Sequence, residues 1–321
     1  MFWIAAAAVA FFVATSVAWA LGPSTIAWAR RRQPDARPRE DVPQTHLRKV
    51  GTPSMGGGFI LPSACAGMAV VIWKPEVVGV VLSMALFGLL GLADDLRKIR
   101  SSRGRGLKAR EKLVIQALLG AGLALYAHRV LGRPDGLSLP SGSVAHLGWG
   151  YYVLGAFVAM AVTNAVNLTD GLDGLAAGSL VPTLLAVMTV CLSVGPEACG
   201  VAAAAVAGAC VGFLRFNLSP ARIWMGDTGS LGLGGALSAL AIFGGIEWFL
   251  AVAGAVLAAE ALSVIIQVVS FKTTGRRVFR MSPLHHHFEL VGHGETAIVK
   301  GFWAASLAAS CLAVGLALLV H

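Results

Sequence analysis

Residues 164–194 read NAVNLTDGLDGLAAGSLVPTLLAVMTVCLSV and join a polar segment to an apolar one. The apolar part, residues 174–194, carries no charged residue and is long enough to cross a bilayer as a helix, which takes about 20 residues. Asn167, Asp170 and Asp173 stand beside it at a spacing of three. Because a carboxylate is costly in hydrocarbon, two acids at this place are candidates for a function.

Similar apolar runs recur along the chain of 321 residues. Hydrophobic residues make up 56% of it and charged residues 13%, against about 25% charged in soluble domains. We therefore predict an all-α polytopic membrane protein that forms a single domain over residues 1–321. Ten transmembrane helices are predicted, at residues 3–28, 54–73, 77–93, 113–131, 149–166, 174–194, 199–214, 229–246, 248–271 and 298–319.

The first apolar run resembles a signal peptide in one respect, because residues 18–20 (AWA) imitate a cleavage site. No basic region precedes the run, however, and residues 30–32 (RRR) follow it directly. We interpret it as a retained first helix with its N-terminus outside. The five cysteines form no CxxC pair, so neither a disulfide framework nor a zinc site is indicated.

The net charge of +9 has an uneven distribution. Of the 25 basic residues, 22 fall in the predicted loops 29–53, 94–112, 215–222 and 272–300. If the chain starts outside, these loops are all cytoplasmic, which is the positive-inside asymmetry of membrane proteins. The basic charge therefore indicates a multi-pass membrane protein with both termini outside, and it indicates no nucleic-acid partner.

Five polar segments fall on the predicted cytoplasmic side. They are residues 46–58, 91–100, 164–178, 215–235 and 280–295. A single water-facing site is therefore expected where these segments meet.

Asp94 and Asp95 are adjacent, and Lys98 follows one helical turn later. These acids could simply balance the neighbouring Arg and Lys residues at a helix end. They could also bind a divalent cation together with a phosphate, since Mg²⁺ prefers oxygen ligands and often shares them with substrate phosphates.

Two other acidic groups also allow either a structural role or a role in binding a metal ion or substrate. Asp227, in WMGDTGSLGLGG (residues 224–235), could cap a helix or hold a metal ion against a phosphate. Asp170 and Asp173 could cap the sixth helix, but together with Asn167 they exceed what capping requires. Glycines 171 and 174 make a broken helix start possible there.

His285, His286 and His287 are consecutive, and three such residues do not share a helix face. One or two could contact a phosphate or move a proton; the alternative is a loop with incidental histidines. Glu260 lies inside the ninth predicted span, as a buried hydrogen-bonding residue or as part of a groove.

Six stretches, in chain order, carry a family resemblance: KVGTPSMGG, ADDLRK, RGLKAREK, NAVNLTDGLDGLA, FNLSPARIWMGDTGSL and PLHHHFELVGHGE. On these the chain resembles the polyprenyl-phosphate N-acetylhexosamine-1-phosphate transferases. The three histidines favour the branch that transfers phospho-MurNAc-pentapeptide from UDP-MurNAc-pentapeptide to undecaprenyl phosphate, giving lipid I and UMP. The resemblance implies a multi-pass protein of the bacterial inner (plasma) membrane, with ten transmembrane helices, both termini outside and a cytoplasmic active site. It also implies a Mg²⁺ requirement and a homodimer.

The resemblance also implies roles for single residues. Those with catalytic roles are Asp94, Asp95, Lys98, Asp227, His285 and His286, and the metal ligands are Asp227, Asp94 and Asp95. Those that bind substrate are Lys49, Ser54, Lys108, Asn167, Asp170, Asp173, Asn217, Trp224 and His287. The chain departs from the family pattern at Ser54, where Thr is usual, and at Trp224, where a Phe usually stacks on uracil.

Several alternatives stay open at this stage. Asp94 could deprotonate the acceptor phosphate, or an Asp could act as a covalent nucleophile. A related transferase could use another UDP-N-acetylhexosamine, although such relatives are expected to lack the PLHHHFE run. An ion-coupled transporter would place its acids near mid-membrane, whereas here only Glu260 is clearly central.

Overall fold

A computed structural model describes residues 1–33, 51–101, 106–139 and 143–320. This part of the chain is mainly helical, as the composition predicts. The helices are α1 (Phe2–Arg32), α2 (Gly57–Met68), α3 (Pro75–Arg100), α4 (Ala109–Arg129), α5 (Gly150–Thr169), α6 (Leu175–Val194), α7 (Glu197–Asn217), α8 (Gly226–Gly244), α9 (Glu247–Ala253), α10 (Ala255–Thr274), α11 (Leu284–Val291) and α12 (Glu295–Val320). A 3₁₀ turn at Ala69–Val71 continues α2, and a short antiparallel hairpin joins β1 (Gly136–Ser138) to β2 (Val144–His146).

Seven helices in the described part are long and apolar enough to cross a membrane: α1, α3, α5, α6, α7, α10 and α12. This confirms a polytopic all-α membrane protein. Each of the other predicted spans also falls on a helix, but α2 has only 12 residues, α4 starts with three charged residues in four, and α8 contains six glycines. The count of ten and the side of each terminus therefore remain predictions.

The centre of the bundle is built from small residues. Helix α7 reads EACGVAAAAVAGACVGFLRFN and is almost wholly buried. Helix α1 crosses it so closely that a Cβ atom added at Gly208 would lie 2.2 Å from the carbonyl oxygen of Phe11. The hydroxyl of Thr15 donates a 2.9 Å hydrogen bond to the Gly208 carbonyl across the same contact. Small residues and hydroxyls of this kind let membrane helices approach and bind each other.

Helices α3 and α8 meet in the same way. The hydroxyl of Ser83 donates to the carbonyl of Gly235 at 2.7 Å. Nearer the other end of the contact, a Cβ atom added at Gly91 would lie 2.1 Å from the Asp227 carbonyl oxygen. This approach brings the C-terminal end of α3 against the first turn of α8, where the predicted acids lie.

The ninth predicted span, residues 248–271, is two helices rather than one. Gly254 ends α9 and precedes α10, with φ −90° and ψ 19°. Helix α10 buries little of its surface inside the protein, and its exposed side chains are mainly apolar, as expected of a lipid-facing helix. The buried residues of this helix are Leu257, Glu260 and Ser263, and Glu260 is the ionisable one among them.

Candidate active site

Three carboxylates meet where α3 ends and α8 begins. Asp94, Asp95 and Asp227 are 0%, 5% and 3% exposed, and one oxygen from each lies within 4.8 Å of the others. Asp94 and Asp95 are neighbours on α3, whereas Asp227 comes from the first turn of α8, more than 130 residues later. The structure therefore brings together the three residues predicted to bind a metal.

Asp95 caps α8 from another helix. One of its oxygens accepts the backbone N–H of Asp227 at 3.1 Å, and the other accepts the backbone N–H and the hydroxyl of Thr228 at 2.9 and 2.7 Å. The first N–H groups of a helix have no partner within the helix and favour negative charge. The cap is thus supplied by Asp95, and Asp227 lies inside the first turn of the helix that Asp95 caps.

Two lysines pair with the carboxylates. The Lys98 Nζ lies 2.5 Å from Asp94 Oδ2 and 2.8 Å from Asp227 Oδ1. The Lys112 Nζ lies 3.0 Å from Asp227 Oδ2 and 3.7 Å from Asp94 Oδ2. Lys98 was predicted for the site and Lys112 was not. We call these five residues, Asp94, Asp95, Lys98, Lys112 and Asp227, the carboxylate–lysine centre.

Lys108 is the lysine that the sequence predicts from the stretch RGLKAREK. It is exposed just before α4, and its backbone N–H donates to the Glu111 carboxylate at 3.0 Å. Lys112 lies four residues later, in the same stretch, and reaches the carboxylates through the packing of α4. The motif thus pointed to the correct helix turn, but only the tertiary contact selects between its lysines.

The donor set of this centre fits a divalent cation. Three ionised carboxylates carry a formal charge of about −3 and the two lysines about +2, so a negative charge remains. All the donors are oxygens, which Mg²⁺ prefers. Since Asp95 already accepts three hydrogen bonds from α8, Asp94 and Asp227 are the better placed of the three to bind a metal ion.

The acids of residues 164–178 lie in a turn between two helices. Helix α5 ends at Thr169 and α6 begins at Leu175, so the break that the glycines allow is confirmed. Asp173 Oδ2 accepts the backbone N–H of Ala221 at 3.0 Å, and its Oδ1 accepts the indole N–H of Trp224 at 3.3 Å. The turn is thereby tied to the segment between α7 and α8.

Two asparagines complete this connection. Asn217 Oδ1 accepts the backbone N–H of Gly174 at 2.9 Å, and its Nδ2 donates to the Ile223 carbonyl at 3.0 Å. Asn167 Nδ2 donates to the Ser230 hydroxyl at 2.8 Å. The hydrogen-bonding groups predicted to line a nucleoside pocket therefore also hold its walls together.

The three histidines begin a helix, so the interpretation of a loop tract is wrong. His285 and His286 are buried in the first turn of α11. The Nδ1 atom of His286 lies 2.7 Å from a Glu289 oxygen. His287 points elsewhere: its Nδ1 accepts the backbone N–H of Arg280 at 3.2 Å.

His285 connects two other elements. Its backbone N–H and its Nδ1 both contact the Glu260 carboxylate of α10, at 3.2 and 3.1 Å. Its Nε2 faces the turn between α5 and α6, where a Cβ atom added at Gly171 would lie 2.1 Å away. The pairing with Glu260 was missed, because no spacing in the sequence links residues 25 positions apart on two helices.

Ser54 is the remaining predicted residue that the structure describes, and it lies shortly before α2. The backbone N–H of Ser54 donates to Gln33 Oε1 at 3.1 Å, and its hydroxyl lies 2.8 Å from the position of a Cβ atom added at Gly226. Ser54 therefore stands beside the start of α8. Lys49 lies outside the described residues.

Comparisons with known proteins identify the relatives of this chain. A family model described as glycosyl transferase family 4 matches residues 77–245, which include the three carboxylates and both lysines. The phospho-N-acetylmuramoyl-pentapeptide-transferase of Desulforudis audaxviator is 47% identical, with 96% of each chain covered. Proteins of the same name from Pelotomaculum thermopropionicum and Desulfitobacterium hafniense are 48% and 45% identical, covering 93% and 92% of this chain and 94% and 92% of their own.

Proposed function

Because this chain belongs to the phospho-N-acetylmuramoyl-pentapeptide-transferase family, we propose that it transfers phospho-MurNAc-pentapeptide from UDP-MurNAc-pentapeptide to undecaprenyl phosphate. The products are lipid I and UMP, in the first membrane step of peptidoglycan synthesis. One observation carries this proposal: the buried carboxylate–lysine centre lies at the end of an apolar helix bundle. A polar phosphorylated donor and a lipid acceptor can meet at such a place.

The orientation is part of the proposal. The C-terminal ends of α3, α7 and α10 lead into three of the four loops that together contain 22 of the 25 basic residues. The positive-inside rule then places the site at the cytoplasmic face of a bacterial plasma membrane. A homodimer, implied by family resemblance, is proposed on that ground alone.

The reaction transfers a phosphoryl group between two oxygens. An oxygen of the acceptor phosphate attacks the β-phosphorus of the donor, and the bond from that phosphorus to the oxygen of UMP breaks. Asp94 and Asp227, with Asp95 beside them, would hold Mg²⁺, which when bound neutralises part of the diphosphate charge. Lys98 and Lys112 bring two further positive charges to the place where negative charge develops on the leaving group.

We assign the proton transfer to Asp94. It is buried at the centre, and its Oδ1 is held by the backbone N–H of Leu107 at 2.6 Å. In this role the carboxylate takes the proton from the acceptor phosphate as attack begins. Near-normal turnover of Asp94→Asn at neutral pH would contradict the role. Asp94 carrying phospho-MurNAc-pentapeptide, trapped with release of UMP in the absence of acceptor, would favour the covalent route instead.

The test of the function is UMP release by purified protein given the donor, undecaprenyl phosphate and Mg²⁺. We expect release that needs both lipid and metal and is lost in Asp227→Asn. Glu197→Gln makes the same change of carboxylate to amide at an exposed residue outside the centre. It should leave UMP release unchanged. Release with UDP-N-acetylglucosamine but not with the pentapeptide donor would assign the chain to another substrate. No release with either donor, from folded protein, would refute the proposal.

A further inference from the structure

Glu260 is a buried carboxylate with a single side-chain partner among the described residues. It lies in the second turn of α10 and is 0% exposed. Its Oε1 accepts the backbone N–H of His285 at 3.2 Å, and its Oε2 lies 3.1 Å from His285 Nδ1. Burying an ionisable group inside a membrane helix costs free energy, so a group such as Glu260 is a candidate for a function together with its partner.

This contact sets the tautomer of His285. When the Glu260 carboxylate is ionised it can only accept hydrogen bonds, and the ring hydrogen then lies on Nδ1. In the neutral ring Nε2 then carries the lone pair. The second bond, to the backbone N–H, fixes the position of the residue at the start of α11, so the ring is held in orientation as well as in tautomer.

The Nε2 atom is the second hydrogen-bonding group of the His285 ring. The residue is 1% exposed, and this nitrogen has no hydrogen-bond partner among the described residues. It faces Gly171, where any side chain would collide with it. An unpaired buried polar atom lowers the stability of the folded protein. Such an atom is therefore a candidate to form its hydrogen bond with a bound ligand.

The surroundings indicate which ligand. Gly171 belongs to the same turn as Asp173, which is bonded to Trp224 and to the segment that leads into α8. The turn thus connects His285 with the wall of the site proposed to hold the UDP-sugar. A lone pair on Nε2 requires a ligand group that donates a hydrogen, such as a hydroxyl or an amide N–H.

We propose that Glu260 is a positioning residue, which holds His285 in the Nδ1–H tautomer so that Nε2 accepts a hydrogen bond from a hydroxyl or amide of the UDP-sugar donor. This inference rests on the proposed function for the identity of the ligand. The tautomer and its cause rest on the contacts of Glu260 alone.

The first test is Glu260→Gln. The amide keeps the size of the side chain but can donate to Nδ1, which moves the ring hydrogen to Nε2. We expect kcat for UMP release to fall on the order of 100-fold, as when the orienting partner of a functional histidine is changed. Glu260→Asp, which keeps the carboxylate, should lose less. Glu197→Gln is the matched control at the other end of the bundle.

A double-mutant cycle separates positioning from a structural role. If Glu260 acts through His285, adding Glu260→Gln to His285→Gln causes no further loss of kcat. A purely structural Glu260 would lower kcat and thermal stability further in that background. Full additivity of the two losses would overturn the proposal, as would wild-type kcat in Glu260→Gln.

The second test does not depend on activity or on any change at Glu260. Nitrogen-15 NMR of histidine-labelled wild-type protein, with His285→Gln to assign the signal, reports which ring nitrogen carries hydrogen. We expect a protonated Nδ1 and a bare Nε2; hydrogen on Nε2 would overturn the inference. If the wild-type protein released no UMP, the proposed function would fail while this measurement still decided the tautomer.

Discussion

The close approach of α3 to α8 makes Gly91→Ala a severe change at a site that contacts no substrate. The added Cβ atom would lie 2.1 Å from the carbonyl oxygen of Asp227, 2.4 Å from its carbonyl carbon and 2.6 Å from the backbone nitrogen of Thr228. All three are main-chain atoms, so no side chain can rotate away. Ordinary contact requires 3.4 Å or more, and the helices must therefore separate by about 1.3 Å at this point.

The helices separate beside the carboxylate–lysine centre, so the change affects activity as well as stability. Asp95 binds the first turn of α8 through hydrogen bonds of 2.7 to 3.1 Å, which a shift of that size breaks or lengthens. It also moves Asp227 away from Asp94. A displacement of about 1 Å in a catalytic arrangement lowers rates roughly 100-fold, and overpacking of this kind costs about 1–3 kcal/mol in stability. We expect both losses in Gly91→Ala.

Gly88→Ala is the matched control, one turn earlier on the same helix. Its added Cβ atom would meet only a terminal methyl of Leu61 closely, at 2.6 Å, with the next atom at 3.7 Å. That flexible side chain can move, so turnover should stay within a few-fold of wild type. UMP release and thermal unfolding in detergent measure both effects. Wild-type turnover in folded Gly91→Ala would refute the view that this helix contact sets the carboxylate geometry.

Three further changes have distinct expected results. Asp95→Asn replaces a charged acceptor of three hydrogen bonds, so we expect a loss of about 2 kcal/mol and a lower melting temperature, whereas Asp94→Asn should lose activity with little change in melting. Lys112→Gln should lower UMP release at least roughly 10-fold yet tighten Mn²⁺ binding measured by electron paramagnetic resonance, because a competing cation is removed; weaker binding would contradict this. Trp224→Phe keeps the ring but removes the hydrogen bond to Asp173, so KM for the donor should rise by up to about 10-fold with kcat nearly unchanged, and a fall in kcat alone would contradict this.

The residues of the site were predictable to different degrees. Asp94, Asp95 and Asp227 were predictable because acids beside apolar runs are rare and their segments share one side of the membrane. Their division of roles was not predictable, since only the structure shows that Asp95 binds the N–H groups of α8. Lys112 was missed for the same reason, because its motif contains another lysine and the choice between them depends on how α4 packs.

The helices, too, were only partly predictable from the sequence. Apolar runs located every helix that could span the membrane, since that signal is local. The sequence left open whether the ninth span is bent: Gly254 permits a break, but only the packing of α9 and α10 decides whether a glycine interrupts a span. The pairing of Glu260 with His285 depends on that packing too, so the sequence left the role of this glutamate open.

The capping of α8 by Asp95 has a consequence for how the protein is made. The carboxylate and the amides it binds are separated by more than 130 residues, so the third helix leaves the ribosome long before the eighth. Until the eighth helix inserts, Asp95 on the early helix lacks the amides that it binds in the finished protein. The centre is therefore completed only when most of the chain is in the membrane. A truncated product that ends before residue 226 lacks the Asp227 carboxylate and also the backbone amides that bind Asp95.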